Sequence, residues 1–464
     1  MLFDGKDDFR TIEDYVHAFY NNNNVSGGKP VSYAETELDS VPTARSLFDL
    51  IQSNSKTTAG KDVITSTQKD DYRKAIYWVY NSLLEYAKKT KVKVTKKESN
   101  GLETLLGYVN GTVTDTKGNL IHKLGNASWF TYQIGLDGLY MAQPFFMELA
   151  NALDDAENGN DYINKDDFNT YLTVAGKSLP TSSQLYNTVA DRLIWIGNNL
   201  KTQVATNTNG EAVYLYNHGW GPTSDGKGKK NGQYWLRGIG WYAAALADTI
   251  SMLPNTVDYK DKRDQLLDIE KQLFNGMMYY QDDDAKTGTL MWRNIVNLGG
   301  DITNKDTGNS NIFETSGTSL MAYAMMKAYA DEHAGIDATH GEAGLKAFNG
   351  MFAQKQIVQS DKKWTLKSVY KQSGVETVDT EYLKYDFVEN EAKGVGPLMM
   401  AAAYANDAAK KLNSKQDITE SVVTMEGYVY DTNPSEPSVT ENPGEATVTY
   451  YYNTENSNEN GTVW

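Results

Sequence analysis

The sequence predicts an all-α protein: a toroid of helical hairpins of the (α/α)6 type that lacks its first hairpin. Two observations carry this reading. Five segments share one design, in which a loop of small or turn-forming residues runs into an apolar helix. Between them lie amphipathic, more charged helices. A helix that is apolar nearly all round is buried on most sides, whereas one with a single apolar stripe keeps a wet face. Alternation of the two kinds gives an inner and an outer ring. In such a ring the inner-helix N-termini and their loops gather around a central cavity.

The first inner segment begins near Asp39, in LDSVPTARSLFDLI. The second begins near Asp137, in LDGLYMAQPFFMELANAL, where Leu139, Ala142, Phe146 and Leu149 recur at spacings of three and four and share one face. The third, fourth and fifth begin near Arg237 (RGIGWYAAALADTISML), Glu314 (ETSGTSLMAYAMMKAY) and Lys393 (KGVGPLMMAAAYAND), and all three are apolar and Ala-rich. Outer helices are expected over 8–20, 69–90, 182–203, 258–281 and 342–358. That makes five hairpins, one short of a closed ring of six. The repeat is long and irregular, unlike that of a short-period solenoid.

Residues 98–135 and 205–235 are Gly/Asn/Thr/Lys-rich connections, longer than ordinary links, and such segments often carry function. The toroid is expected to occupy residues 1–412. Residues 413–464 change character and read as a linker-like tail, with short strands at VTMEGYVYD and ATVTYYYN.

Composition narrows the function. The 464 residues carry a formal charge of −16, which argues against nucleic acid and anionic membranes as partners, since both need basic patches. A small anionic substrate would need a local Arg or Lys. There is no cysteine, so disulfide scaffolds, thiolate zinc sites and thiol nucleophiles are excluded, while the compartment stays open. No apolar run reaches about 18 residues, the length of a membrane helix. The start, MLFDGKDDFR, is acidic and has neither the basic nor the apolar region of a signal peptide. With 31 Tyr and 9 Trp, the chain is rich in rings that either line the core or offer platforms to sugar faces.

Among residues that carry chemistry, Asp137 stands first: a carboxylate at the mouth of a buried helix, followed by Gly138. It reads either as an N-cap or as a catalytic acid. The two readings pull apart, because a helix N-terminus favours the ionised form while a general acid must hold its proton. Asp39 has the equivalent place on the first inner helix. Two carboxylates facing one cavity form a minimal set for acid/base work on sugars, and as single residues each also reads as a cap.

The segment YNHGWGPTSDGKGKKNGQYWLRGIGW over 216–241 gathers His218, Trp220, Trp235, Arg237 and Trp241 in a loop leading to an inner helix. Arg237 suits bidentate capture of a carboxylate. The alternative is a loop whose aromatics cover one end of the toroid. His122 and Lys123 precede Asp137, where they read as a solvated pair or as groups that bind an anionic sugar. AENGNDYINKDD (156–167) lacks the first ligand and the turn glycine of a calcium loop. RGIGW does not follow a strand of a βαβ unit, so it does not support a nucleotide site.

Taken together, LDGLYMAQPF, HGW, WLRGIGWYAAALAD, ETSGTSLMAYAMMKAY and KGVGPLMMAA closely resemble the unsaturated rhamnogalacturonyl hydrolases of glycoside hydrolase family 105. That family is related to the unsaturated glucuronyl hydrolases of family 88. LDSVPTARSLFDL and YQDDDAKTGTLMW fit the same pattern, and the resemblance spans about residues 8–412.

It implies an (α/α)6 barrel that acts on oligosaccharides ending in a 4,5-unsaturated uronic acid, with rhamnose as the usual partner sugar. The implied reaction hydrates the vinyl ether, and it needs no metal or organic cofactor. By the resemblance, Asp137 donates the proton and activates water, while Asp39 holds sugar hydroxyls and helps set the pKa of Asp137. His122, Lys123, His218, Trp220, Trp235, Arg237 and Trp241 bind substrate. Two departures stand out. Gly221 replaces the Asp that usually follows the HxW motif, and the family's additional hairpin before the Asp39 repeat is expected to be absent. With the linker-like tail, these motivate an alternative, a carbohydrate-binding module without catalysis.

Overall fold

A computed structural model describes residues 37–52, 64–89, 120, 122, 133–157, 162–172, 179–221, 229–284, 289–360, 363–414, 421–426 and 445–450. In chain order the helices are α1 (Arg45–Gln52), α2 (Ser66–Lys89), α3 (Asp137–Glu157), the short α4 (Lys165–Thr170) and α5 (Ser182–Leu200). They continue with α6 (Leu236–Met252), α7 (Lys260–Tyr279), α8 (Thr315–Ala330), α9 (Ala338–Ala353) and α10 (Ala392–Ser414).

The helices form an α/α toroid. Its inner ring runs α1, α3, α6, α8, α10, each packed on the next. Outside it, α5 packs on α3 and α7, α9 packs on α7 and α8, and α2 packs on α1. The inner helices are those with apolar residues nearly all round. On α6 every residue from Leu236 to Ile250 is buried, and on α8 every residue from Thr315 to Tyr329. Among the described residues, no substantial packing joins α10 back to α1. The expected outer helix over 8–20 lies outside the described residues.

Capping chemistry sets several boundaries. Thr181 and Gln184 form a capping box that starts α5. This helix stops at Leu200, short of the expected 203, because Lys201–Thr206 (β2) pairs with Ala212–Tyr216 (β3) in an antiparallel hairpin. The stretch 205–235 is therefore partly strand. The last outer helix is expected over 342–358 but forms four residues earlier, where Asp337 and His340 make a capping box. It ends before Lys355, which adopts a left-handed φ of 54°. Ile357 and Val358 then enter a strand. The first inner helix is also displaced from its expected start near Asp39. Pro42–Ala44 form a 3-10 turn, and α1 begins only at Arg45.

One small sheet positions the site. Ile134–Gly135 (β1), Gly219–Gly221 (β4) and Lys229–Lys230 (β5) pair antiparallel in the order β1-β4-β5, with Ile134 opposite Trp220 and Trp220 opposite Lys230. β1 runs directly into α3, and the Leu136 N–H donates to the His218 carbonyl at 2.9 Å. The start of an inner helix is thus fixed to the loop carrying His218.

Deeper in the ring, polar side chains tie the inner helices together. Arg45 meets Asp248 of α6 at 2.9 Å and Glu148 of α3 at 3.2 Å, and it donates to the Tyr140 hydroxyl at 3.1 Å. Lys327 of α8 donates to the Tyr404 hydroxyl of α10 at 2.7 Å. Beyond α10, Ser421–Glu426 and Glu445–Tyr450 pair as an antiparallel hairpin. No described helix is long and apolar enough to cross a membrane.

Candidate active site

Asp137 is the first residue of α3, and its Oδ2 lies 2.9 Å from Nε2 of His218. The two differ in access: the Asp137 side chain is 18% exposed and that of His218 only 3%. The opposite ring nitrogen of His218, Nδ1, lies 2.8 Å from the hydroxyl of Tyr382. His218 therefore bridges a partly exposed carboxylate and a buried phenol.

Two glycines make this packing possible. A Cβ on Gly238, in the first turn of α6, would come within 2.8 Å of the His218 ring. A Cβ on Gly138 would come within 3.2 Å of Nδ1 of His122. Both glycines lie in the motifs LDGLYM and RGIGW, where they let imidazoles lie against helix starts.

Burial alone would push the Asp137 carboxyl up. The hydrogen bond with His218 and the positive potential around the site, from His122 and Arg237 among others, outweigh burial and hold it below the usual carboxylate range. The helix N-terminus acts in the same sense. Asp137 thus rests as the anion.

Asp39 sits in the turn before α1, with its Oδ1 3.0 Å from Nε2 of His122. The backbone of His122 also bridges the site, donating to the Gln133 carbonyl at 3.3 Å and accepting from Leu38 N–H at 3.2 Å. His122 thus contacts Asp39 and is also one of the groups that lower the pKa of Asp137. Lys123 lies outside the described residues.

The aromatic residues of 216–241 part company. Trp220 is buried with its ring edge against Trp195 of the outer helix α5, centroids 5.6 Å apart. Trp235 is buried against His218, and its indole N–H donates to Asn294 Oδ1 at 3.0 Å. Both occupy core positions, at odds with an expected role as open sugar platforms. Trp241 is buried too, but between inner helices, where it stacks on Tyr140 of α3, centroids 4.7 Å apart and planes 29° apart.

Arg237 also differs from expectation. It is buried, lies over the Trp235 ring, and spends Nη1 on the Ser316 hydroxyl at 3.0 Å and on the Tyr370 carbonyl. Glu314 Oε1 is 3.8 Å away. This makes the guanidinium a fixed positive charge near Asp137 rather than an open fork.

Several residues of the site carry no clear sequence signal. Glu314 opens α8 as a fully buried cap, accepting from the N–H groups of Ser316 (3.1 Å), Gly317 (2.7 Å) and Tyr370 (3.0 Å). In sequence it marks a helix start and nothing more. Tyr382 comes from a short 3-10 turn, Asp379–Leu383, far along the chain. Lys393, at the start of α10, lies in the electrostatic field of Arg237 and Asp39, and burial is the main cause lowering its pKa. Gly221 faces the Gln133 side chain, where a Cβ would sit 3.6 Å from Cγ, in ordinary contact. Among the described residues no three His, Asp or Glu side chains converge as a metal-binding group.

Known proteins resemble this arrangement in sequence and fold. The sequence model of Glycosyl Hydrolase Family 88 matches residues 75–407, a span that includes His122, Asp137, His218 and Arg237 but not Asp39. Protein Atu3128 of Agrobacterium fabrum is 26% identical over 216 residues, covering 42% of this chain and 82% of that protein. The 24.9 kDa protein in the picA locus of Rhizobium radiobacter matches to the same extent. A glycoside hydrolase from family 105 of C. acetobutylicum ATCC 824 shares the fold with a TM-score of 0.53 at 20% identity, over 85% of this chain and 86% of that one. A helical toroid with Asp137 at an inner-helix start, matched by the family model over most of its length, belongs to glycosyl hydrolase family 88 and is by that membership a glycoside hydrolase.

Proposed function

We propose that this hydrolase acts on oligosaccharides that carry a 4,5-unsaturated uronic acid at the non-reducing end, the products of pectin and rhamnogalacturonan lyases, with Asp137 as the reacting carboxyl group. The observation that supports this best is Asp137 itself: a partly exposed carboxylate at an inner-helix start, bonded to His218 and surrounded by the positive potential of His122 and Arg237. Such an environment favours an anionic ligand beside a group that can pass a proton.

In this reading the substrate's own carboxylate enters the site and water is displaced. Both changes raise the pKa of Asp137 and let it take up a proton. The protonated acid delivers that proton to C4 of the vinyl ether, and positive charge develops at C5. The regenerated carboxylate then removes a proton from water as its oxygen adds to C5. The hemiketal opens to a ketone, C1 collapses to an aldehyde, and the remaining sugar leaves with a proton. Asp137 ends protonated, as it was once substrate had bound, and as the product leaves it returns to solvent the one proton it took from solvent on binding. Asp39 and His122 hold sugar hydroxyls, and Trp241, buried against Tyr140, backs the site as part of its apolar wall. Lys123 and Arg237 supply positive charge around the uronate, and His218 acts on it through Asp137, which it holds.

The reaction is tested by turnover in D2O. A rhamnose-linked unsaturated disaccharide should yield a product with one deuterium at C4, while the saturated counterpart should remain intact. Hydrolysis of the saturated sugar without deuterium at C4 would overturn the reading.

A further inference from the structure

Tyr382 lies 164 residues from His218 in sequence, yet its hydroxyl is 2.8 Å from Nδ1 of the imidazole. Its surroundings decide which way its proton points. The Glu376 N–H donates to the Tyr382 oxygen at 3.0 Å. The Asn231 amide also donates to it at 3.0 Å. The orientation of that amide is fixed by its neighbours: Oδ1 accepts from Gly219 N–H at 3.2 Å, and Nδ2 donates a second hydrogen to the Glu376 carbonyl at 2.6 Å.

A phenol oxygen accepts about two hydrogen bonds and donates one. With both acceptor positions filled, the Tyr382 proton has two directions. One is the Glu376 carbonyl at 3.5 Å, at the edge of hydrogen bonding; the other is His218 Nδ1 at 2.8 Å. The shorter contact takes it. Nδ1 is then an acceptor without a proton, and Nε2 carries the ring's hydrogen toward Asp137.

We infer that Tyr382 is a positioning residue that holds His218 as the Nε2–H tautomer, so that the imidazole always donates to Asp137 and never accepts from it. A protonated Asp137 cannot park its hydrogen on His218 and must direct it to substrate. Tyr382 is itself rigidly held. Its carbonyl accepts from Asn294 Nδ2 at 2.7 Å, and its ring lies 6.1 Å from that of Trp235. Its segment is strapped to the sheet beside the site by Gln233, which donates to the Thr377 carbonyl at 3.3 Å. The tautomer assignment stands on the free protein alone; its consequence for turnover rests on the role proposed for Asp137.

The test is long-range 1H–15N NMR of 15N-histidine-labelled protein without substrate, with His218 identified by the loss of its signals in His218→Gln. The expected result is a single Nε2–H pattern in the wild type, retained in Asp137→Ala, where the carboxylate can no longer dictate the tautomer. The double variant Asp137→Ala/Tyr382→Phe should show a mixture or the Nδ1–H form. An Nδ1–H pattern in the wild type, or a mixture in Asp137→Ala that Tyr382→Phe does not change, would overturn the inference. In turnover, Tyr382→Phe should lower kcat by about tenfold with KM little changed, the scale of losing a partner that orients a reacting group. Because the spectra need no substrate, a failure of the proposed reaction and a failure of the tautomer assignment are read separately.

Discussion

Arg45 on α1 and Asp248 on α6 are paired at 2.9 Å across the inner ring, where Asp248, only 3% exposed, would by itself be a costly charge to bury. Tyr323 of α8 donates to the same carboxylate. Removing one member of such a pair leaves the other charge uncompensated, which costs roughly 3–5 kcal/mol when fully buried. Arg45 is partly exposed, so Asp248→Ala should destabilise by about 3 kcal/mol, the lower end of that range. Urea unfolding followed by circular dichroism measures it, and a change below about 1 kcal/mol would show that the pair does not brace the ring.

Gly276 places α7 against the β2–β3 hairpin, where a Cβ would overlap the Tyr214 carbonyl. Backbone cannot move aside as a flexible side-chain end can. Gly276→Ala should therefore destabilise, by about 2 kcal/mol or more, despite the better helix propensity of Ala. A variant as stable as the wild type by thermal unfolding would contradict this packing.

The resting state of Asp137 sets the sign of the pH dependence. Its carboxyl is held below the usual range, so above about pH 4 the free protein contains mostly the anion. If the protonated form delivers hydrogen to C4, its fraction falls about tenfold for each pH unit. The value of kcat/KM should then decline as pH rises from about 5 to about 8. A flat profile, or one rising with pH, would count against Asp137 as the proton donor.

The aromatic residues give a comparison between two tryptophans of one segment. Both rings are buried, but Trp241 stacks on Tyr140 between two inner helices, whereas Trp220 packs against Trp195 on the outer side. Trp241→Ala should raise KM about tenfold or more, the scale of one lost aromatic wall. Trp220→Phe should lower the melting temperature and leave KM near its original value. Steady-state kinetics beside thermal melts separates the two, and equal effects on KM would erase the distinction.

Much of the ring is legible in sequence because its inner helices announce themselves. The starts expected near Asp137, Arg237, Glu314 and Lys393 fall within one residue of the helices at Asp137, Leu236, Thr315 and Ala392, where a turn or cap meets an apolar run. Asp39 misleads because Pro42 opens a 3-10 turn before α1. The strands within 205–235 are short and lie among Gly, Asn and Lys, whose composition reads as loop. In the site, Asp137 and His218 stand out through their motifs. Tyr382 does not: it belongs to a 3-10 turn with no periodicity, and its partner is chosen by the fold. The burial of Arg237 is hidden for the same reason, since Ser316 on α8 and Tyr370, in a short strand beyond α9, reach it only once these elements pack.

Whether Asp137 drives hydration of an unsaturated uronyl sugar can be read from the ultraviolet absorbance of the conjugated double bond in a rhamnogalacturonan-derived disaccharide. The wild type should consume that absorbance, and Asp137→Asn, folded by circular dichroism, should leave it unchanged over the same period. Loss of absorbance at an undiminished rate in Asp137→Asn would remove Asp137 from the reaction. No loss from a folded wild type with any 4,5-unsaturated uronyl disaccharide would remove the reaction itself.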